Sequence, residues 1–151
     1  YRTRPTGTPG ATTRRRMPED VRMHSARNYA RSGSPYEATI GFSRGVRDGE
    51  LVAVAGTAPI WPDGTVDPDP LVQARRAWEI ALAALVELGG SPADVVRTRT
   101  YLVTPEAAEA ASVAHGEVFA DVRPASTMVI VSALLDPRWL LEVELDAIVR
   151  T

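Results

Sequence analysis

Three carboxylates, Glu142, Glu144 and Asp146, are spaced at i, i+2 and i+4 near the end of this chain. On a strand that spacing puts all three on one face. Between Trp139 and Val149, Trp139, Leu141, Val143, Leu145, Ala147 and Val149 alternate with Leu140, Glu142, Glu144, Asp146 and Ile148, so a strand is predicted there. Like charges this close repel one another unless water, donors or arginines attend them. Two readings fit the pattern: a solvated outer face, or a polar cleft or inter-subunit surface in which one carboxylate works as an acid or base. A second predicted strand, Val95 to Val103, carries Arg97 and Arg99 on one face with Val95, Tyr101 and Val103. Its arginines would face the acids if the two strands are neighbours.

Other chemistry is closed off by composition. The chain has no cysteine, so thiolate nucleophiles, disulfides and thiolate zinc sites are excluded. All seventeen basic residues are arginine, which rules out a Schiff-base lysine. Only His24 and His115 are present, too few for a histidine-built metal centre, and neither a metal nor another cofactor is expected. Residues 1–33 hold eight arginines against Glu19 and Asp20, whereas residues 34–151 hold nine against seventeen acids, a net charge of −8. A domain this acidic is a poor partner for phosphates, so no nucleic acid is expected. No apolar run approaches the ~18 residues of a membrane span. With no apolar leader near the start, a cytoplasmic protein without a membrane partner is expected.

The elements that position these residues follow in order. Residues 1–33 lack apolar periodicity and read as a flexible basic arm, or as an extension foreign to the natural protein, since Met17 and Met23 are each a possible start. Residues 34–151 form the folded domain. Thr39 to Arg47 reads as a strand with Ile40, Phe42 and Val46 as apolar positions, and Asp48-Gly49 turns it into Leu51 to Ala55, apolar throughout and expected to be buried on both faces. Gly56 follows, either for close approach of a neighbour or simply to bend the strand. Asp69 caps a helix starting at Pro70, with Leu71, Ala74, Trp78, Ala81, Leu85 and Leu88 as its stripe and Gly89-Gly90 as its stop. A second helix runs from Thr104-Pro105 to about Phe119 with Ala108, Ala111, Val118 and Phe119 inward, and His115 beside them as a packing residue. Ser126 to Leu134 is the next strand. The sum is an α+β domain of two layers, a largely antiparallel sheet with both helices on one face. The other face then needs a cover, for which further copies of the chain are the simplest source.

Gly41-Phe42-Ser43-Arg44-Gly45-Val46, Val54-Ala55-Gly56-Thr57-Ala58-Pro59, the Gln73–Leu88 helix, Asp94-Val95-Val96-Arg97-Thr98-Arg99, Arg123-Pro124-Ala125-Ser126-Thr127 and Leu141-Glu142-Val143-Glu144 occur in the order that characterises the YjgF/Rid (reactive intermediate deaminase) family, also labelled endoribonuclease L-PSP. The chain resembles that family over about residues 34–150. The resemblance implies the chorismate-mutase-like fold and a homotrimer with small-molecule clefts between subunits. It also implies that Glu142 is the carboxylate that positions a water or a substrate nitrogen.

Other positions depart from the imine-hydrolysing branch. Ser126 stands where that branch has the arginine that grips a substrate carboxylate, Phe42 where it has tyrosine, and Ser112 where it has asparagine. A serine cannot replace a bidentate guanidinium. The implied cleft contains Glu142, Gly56, the hydroxyls of Thr57, Ser112 and Ser126, and the walls Phe42 and Met128. Arg123 is the candidate for a displaced positive charge. The function expected is hydrolysis of a small imine, enamine or related C–N compound, other than typical 2-imino acid deamination. The alternative is a trimer that binds a small metabolite without turnover.

Overall fold

The computed structural model describes residues 27–150. The run Arg14-Arg15-Arg16, the candidate starts Met17 and Met23, and His24 lie outside them. The elements are β1 (Asn28–Ala30), β2 (Gly45–Asp48), β3 (Leu51–Thr57), α1 (Pro70–Glu87), β4 (Val95–Leu102), α2 (Ala107–Phe119), β5 (Ala125–Ile130) and β6 (Leu141–Ile148). The strands make one sheet in the order β1-β2-β3-β6-β4-β5. β4 and β5 are parallel, joined by the α2 crossover that a parallel pair requires. The remaining neighbours are antiparallel.

α1 forms where the sequence places it. The Asp69 carboxylate accepts from Leu71 N at 2.8 Å and Val72 N at 3.0 Å, Pro70 supplies the first helical residue, and Gly89 ends the helix at φ 85°. Its face of Ala74, Ala77, Trp78, Ala81, Ala84 and Leu85 is buried against the sheet and α2. β6 lies between β3 and β4, and its inward residues Leu141, Val143, Leu145 and Ala147 are fully buried. Trp78 meets Phe119 edge-on at 5.1 Å between ring centroids. His115 packs against both rings, with Nε2 2.9 Å from the Thr98 hydroxyl, and burial pushes its pKa down. It is a packing histidine, occupied by its neighbours.

Several boundaries differ from the sequence reading. Asn28–Ala30, within the stretch read as an arm, pairs with β2 as an edge strand. Thr39 to Arg47 is not one strand: Glu37–Gly41 forms a π-helical turn, and extended pairing starts only at Gly45. Gly41 at φ 82° breaks the extended run, and the Glu37 carboxylate ties the turn back to the Ser32 backbone and hydroxyl. Ile40 is consequently 69% exposed and Phe42 37% exposed rather than inward. β3 is buried on one face alone: Val52, Val54 and Thr57 are inward, while Leu51 is 49% exposed. Helices cover only that inner side, so the opposite apolar positions have no cover among the described residues. On α2 the deepest residues are Ala107, Ala111, Ala114 and Phe119, with Ala108 and Val118 at the margin. β5 ends at Ile130, four residues before the expected limit, where its pairing with β4 runs out at Leu102.

Candidate functional site

Alternation along β6 turns Glu142, Glu144 and Asp146 to the sheet face away from the helices. β4 is the neighbour on one side, in a register that opposes Arg97 to Asp146, Arg99 to Glu144 and Tyr101 to Glu142. Arg99 Nη1 reaches Glu144 Oε1 at 2.6 Å and Asp146 Oδ2 at 3.3 Å. Two of the three carboxylates thereby share one guanidinium across the strands. Glu142 receives no hydrogen bond from the described residues, because its partner position holds tyrosine rather than arginine.

On its other side Glu142 meets β3 at a break in register between Val54 and Thr57. That irregularity brings Gly56 beneath the carboxylate, and a Cβ at Gly56 would collide with Glu142 Oε1. The sequence left open whether Gly56 serves close approach or a bend; close approach to Glu142 is what the structure shows. Arg44, one residue before β2, closes this end of the site. Its Nη1 donates to Gly56 O at 2.8 Å and to the Thr57 hydroxyl at 3.1 Å, and that hydroxyl donates to Ala55 O at 2.8 Å. Arg44 Nε is buried without an acceptor among the described residues.

Burial pushes the Glu142 pKa up; the Arg44 charge works against that, and Glu144 adds to it. Arg44 is pushed down by its own burial, with Glu142 and Glu37 opposing. A half-buried carboxylate with a raised pKa, a cation in its field and no donor on it can take a proton from water or a substrate.

The remaining predicted residues fall into two groups. Phe42 is on the extended segment two residues before Arg44, and Thr57 is fully buried on β3, where its hydroxyl accepts from Arg44 Nη1. Ser126 and Met128 are on edge strand β5, opposite Thr98 and Thr100 of β4. Met128 packs against the core, so this pair faces the helix side, away from Glu142. Ser112 is exposed on α2, its hydroxyl donating to Ala108 O at 2.8 Å. Arg123 is exposed in the turn between α2 and β5, with φ 52° and its N–H on Phe119 O at 2.8 Å. A single chain does not bring Ser112, Arg123, Ser126 or Met128 to Glu142. Arg44 is the residue that sequence reasoning passed over: it stood inside a recognised motif without a role, and no local signal marks it as enclosed.

The model of the family described as Endoribonuclease L-PSP matches residues 33–149. The chain belongs to this family, the YjgF/Rid family named from its motifs. An uncharacterized protein of Streptomyces coelicolor is 38% identical over 117 residues, 77% of this chain and 87% of that protein. Among solved structures, Rv2704 of Mycobacterium tuberculosis, a YjgF/YER057c/UK114 family member, is 39% identical with a TM-score of 0.75, covering 82% of this chain and 100% of that one. TdcF of E. coli, with bound serine, shares the fold at a TM-score of 0.69 and 23% identity, over 82% of this chain and 94% of that one. The α+β fold expected from the sequence is the fold of these proteins. Among the described residues, no helix is long and apolar enough to cross a membrane.

Proposed function

We propose that this Rid-family protein is a homotrimer that hydrolyses a small imine, enamine or related C–N compound in clefts between subunits, with Glu142 as the base. The observation that carries this is the isolation of Glu142: half-buried over Gly56, with Arg44 behind it and no donor on it among the described residues. Glu142 takes a proton from water as the oxygen bonds to the imine carbon, and the C=N pair moves to nitrogen. The same carboxyl returns that proton to nitrogen, giving the neutral carbinolamine. The carboxylate then takes the hydroxyl proton and passes it to the nitrogen as the C–N bond breaks with its electron pair leaving on nitrogen, so that the carbonyl forms and the amine or ammonia is released. The second half of the cleft, Ser112, Arg123, Ser126 and Met128, would come from a neighbouring copy, consistent with its placement away from Glu142. Ser126 in place of a guanidinium argues for a substrate other than a typical 2-imino acid.

A second reading, ligand binding without turnover in the same cleft, is favoured by the fold shared with serine-bound TdcF. The nuclease label of the family has no support in these residues: no lysine is present, His115 is packed under Trp78, and residues 34–151 carry a net charge of −8. The experiment is to follow carbonyl release from small imines formed in situ, with light scattering to give the mass. Glu142→Gln is expected to lower turnover at least 100-fold, the usual scale for a lost general base, with the trimer intact. A ligand that raises Tm and is recovered unchanged establishes the second reading. A stable monomer, or unaltered turnover in the variant, sinks the first.

A further inference from the structure

A cavity of about 510 Å³ opens between α1, the loop after β3 and the segments that follow β1 and precede β2. Its volume is that of a small-molecule site, and Glu142 is not among its walls. We propose that this cavity binds a small organic monocarboxylate with an apolar body, held at its charged end by Arg31 and Arg44 and along its body by Ile60, Trp61 and Ile80.

The charges of the cavity sort themselves. Arg76 is committed to Glu79 at 2.9 Å and to Ile60 O at 3.0 Å, and lies 5.5 Å over the Trp61 ring, so it fixes the apolar wall. Arg31 and Arg44 make no ion pair with the described residues. Glu37, the acid whose field they share, is turned to the Ser32 N–H and hydroxyl instead. Arg44 spends Nη1 on Gly56 and Thr57, which leaves its Nε and Nη2 without an acceptor among the described residues. Nε is enclosed by protein, so a carboxylate in the cavity reaches this guanidinium at Nη2, through a charge-assisted hydrogen bond beside the Arg31 charge. A buried charged donor left unmatched is costly, and an anion relieves that cost. Glu87, exposed at the α1 wall, disfavours a second negative charge on the ligand. Because Arg44 also acts on Glu142, a carboxylate bound here would screen a cation in the field of that residue.

Benzoate is the probe, titrated into the full chain by calorimetry, with NMR to locate it. Saturable binding is expected, with intermolecular NOEs from the benzoate ring to the Trp61 indole. Arg31→Ala and Trp61→Ala, both accessible positions whose folding is checked by circular dichroism, should each weaken binding about tenfold, the worth of one charge-assisted or stacking contact. Glu142→Gln should bind at least as tightly as the wild type. No saturable binding, or binding that survives both cavity substitutions or fails in Glu142→Gln, overturns the proposal.

Discussion

Glu144 and Asp146 lie two and four residues beyond Glu142 on one strand and one face, yet their surroundings differ in kind. β4 sets Arg99 and Arg97 opposite Glu144 and Asp146, and the Arg99 guanidinium joins both acids. One step further along the same ladder β4 offers Tyr101, and on the far side β3 loses its register and offers the bare backbone of Gly56. Three residues of the same charge thus become an ion-paired patch and an acid without a donor among the described residues. Charge count says nothing about this difference. Cross-strand register and one missing side chain decide it.

The contrast is tested first at Gly56. Gly56→Ala puts a methyl group where the Glu142 carboxylate sits, so the acid must move while its charge and identity are kept. Displacements of about 1 Å at a reacting group cost on the order of 100-fold. Turnover, or cleft-ligand affinity, should fall by about that factor, with circular dichroism confirming the fold. An active Gly56→Ala protein would mean that the placement of Glu142 is not what matters.

Arg99→Ala addresses the other end. It should leave cleft activity within a few-fold but remove the cation that holds Glu144 and Asp146. Ion pairs this accessible contribute little, and denaturant unfolding at pH 7 should show only a small loss. Added salt should shrink the loss, since screening weakens the pair it removes. A large fall in turnover with stability unchanged would reverse the roles assigned to the two ends.

How far the sequence foretold this can be followed residue by residue. α1 was legible because its determinants are local: an aspartate before a proline, a stripe at helical spacing, and two glycines. The alternation of β6 and the pairing of Arg99 with its acids were legible because period-two patterns leave few registers that bury Leu141, Val143 and Leu145. β1 was not, since three residues among Arg, Ser and Gly are extended only because β2 pairs with them. The turn at Glu37–Gly41 was missed because β-branched and aromatic residues imitate a strand, while the side-chain bonds from Glu37 to Ser32 prevail. In the site, Glu142 could be singled out as a candidate, but its isolation depends on which residue stands across the ladder. The enclosure of Arg44 depends on the path of β3 past its break in register, which no local pattern records.

The smallest effect is also the most direct measure of the environment of Glu142. Its pKa is raised chiefly by burial, with Arg44 opposing and Glu144 adding. The folded state therefore favours the protonated acid, so this residue contributes stability below the unfolded carboxylate pKa of about 4.3, and that contribution is lost as pH rises through the folded value. Glutamine cannot ionise and carries no such loss. The Tm of Glu142→Gln minus that of the wild type should thus become more positive between pH 4 and pH 8, levelling off once the wild-type carboxyl is fully ionised. A scanning-fluorimetry series across that range reads the difference directly. If the Glu142 curve instead stays flat, the carboxylate has found a donor in the assembled protein, and the isolation from which its reactivity was argued does not exist.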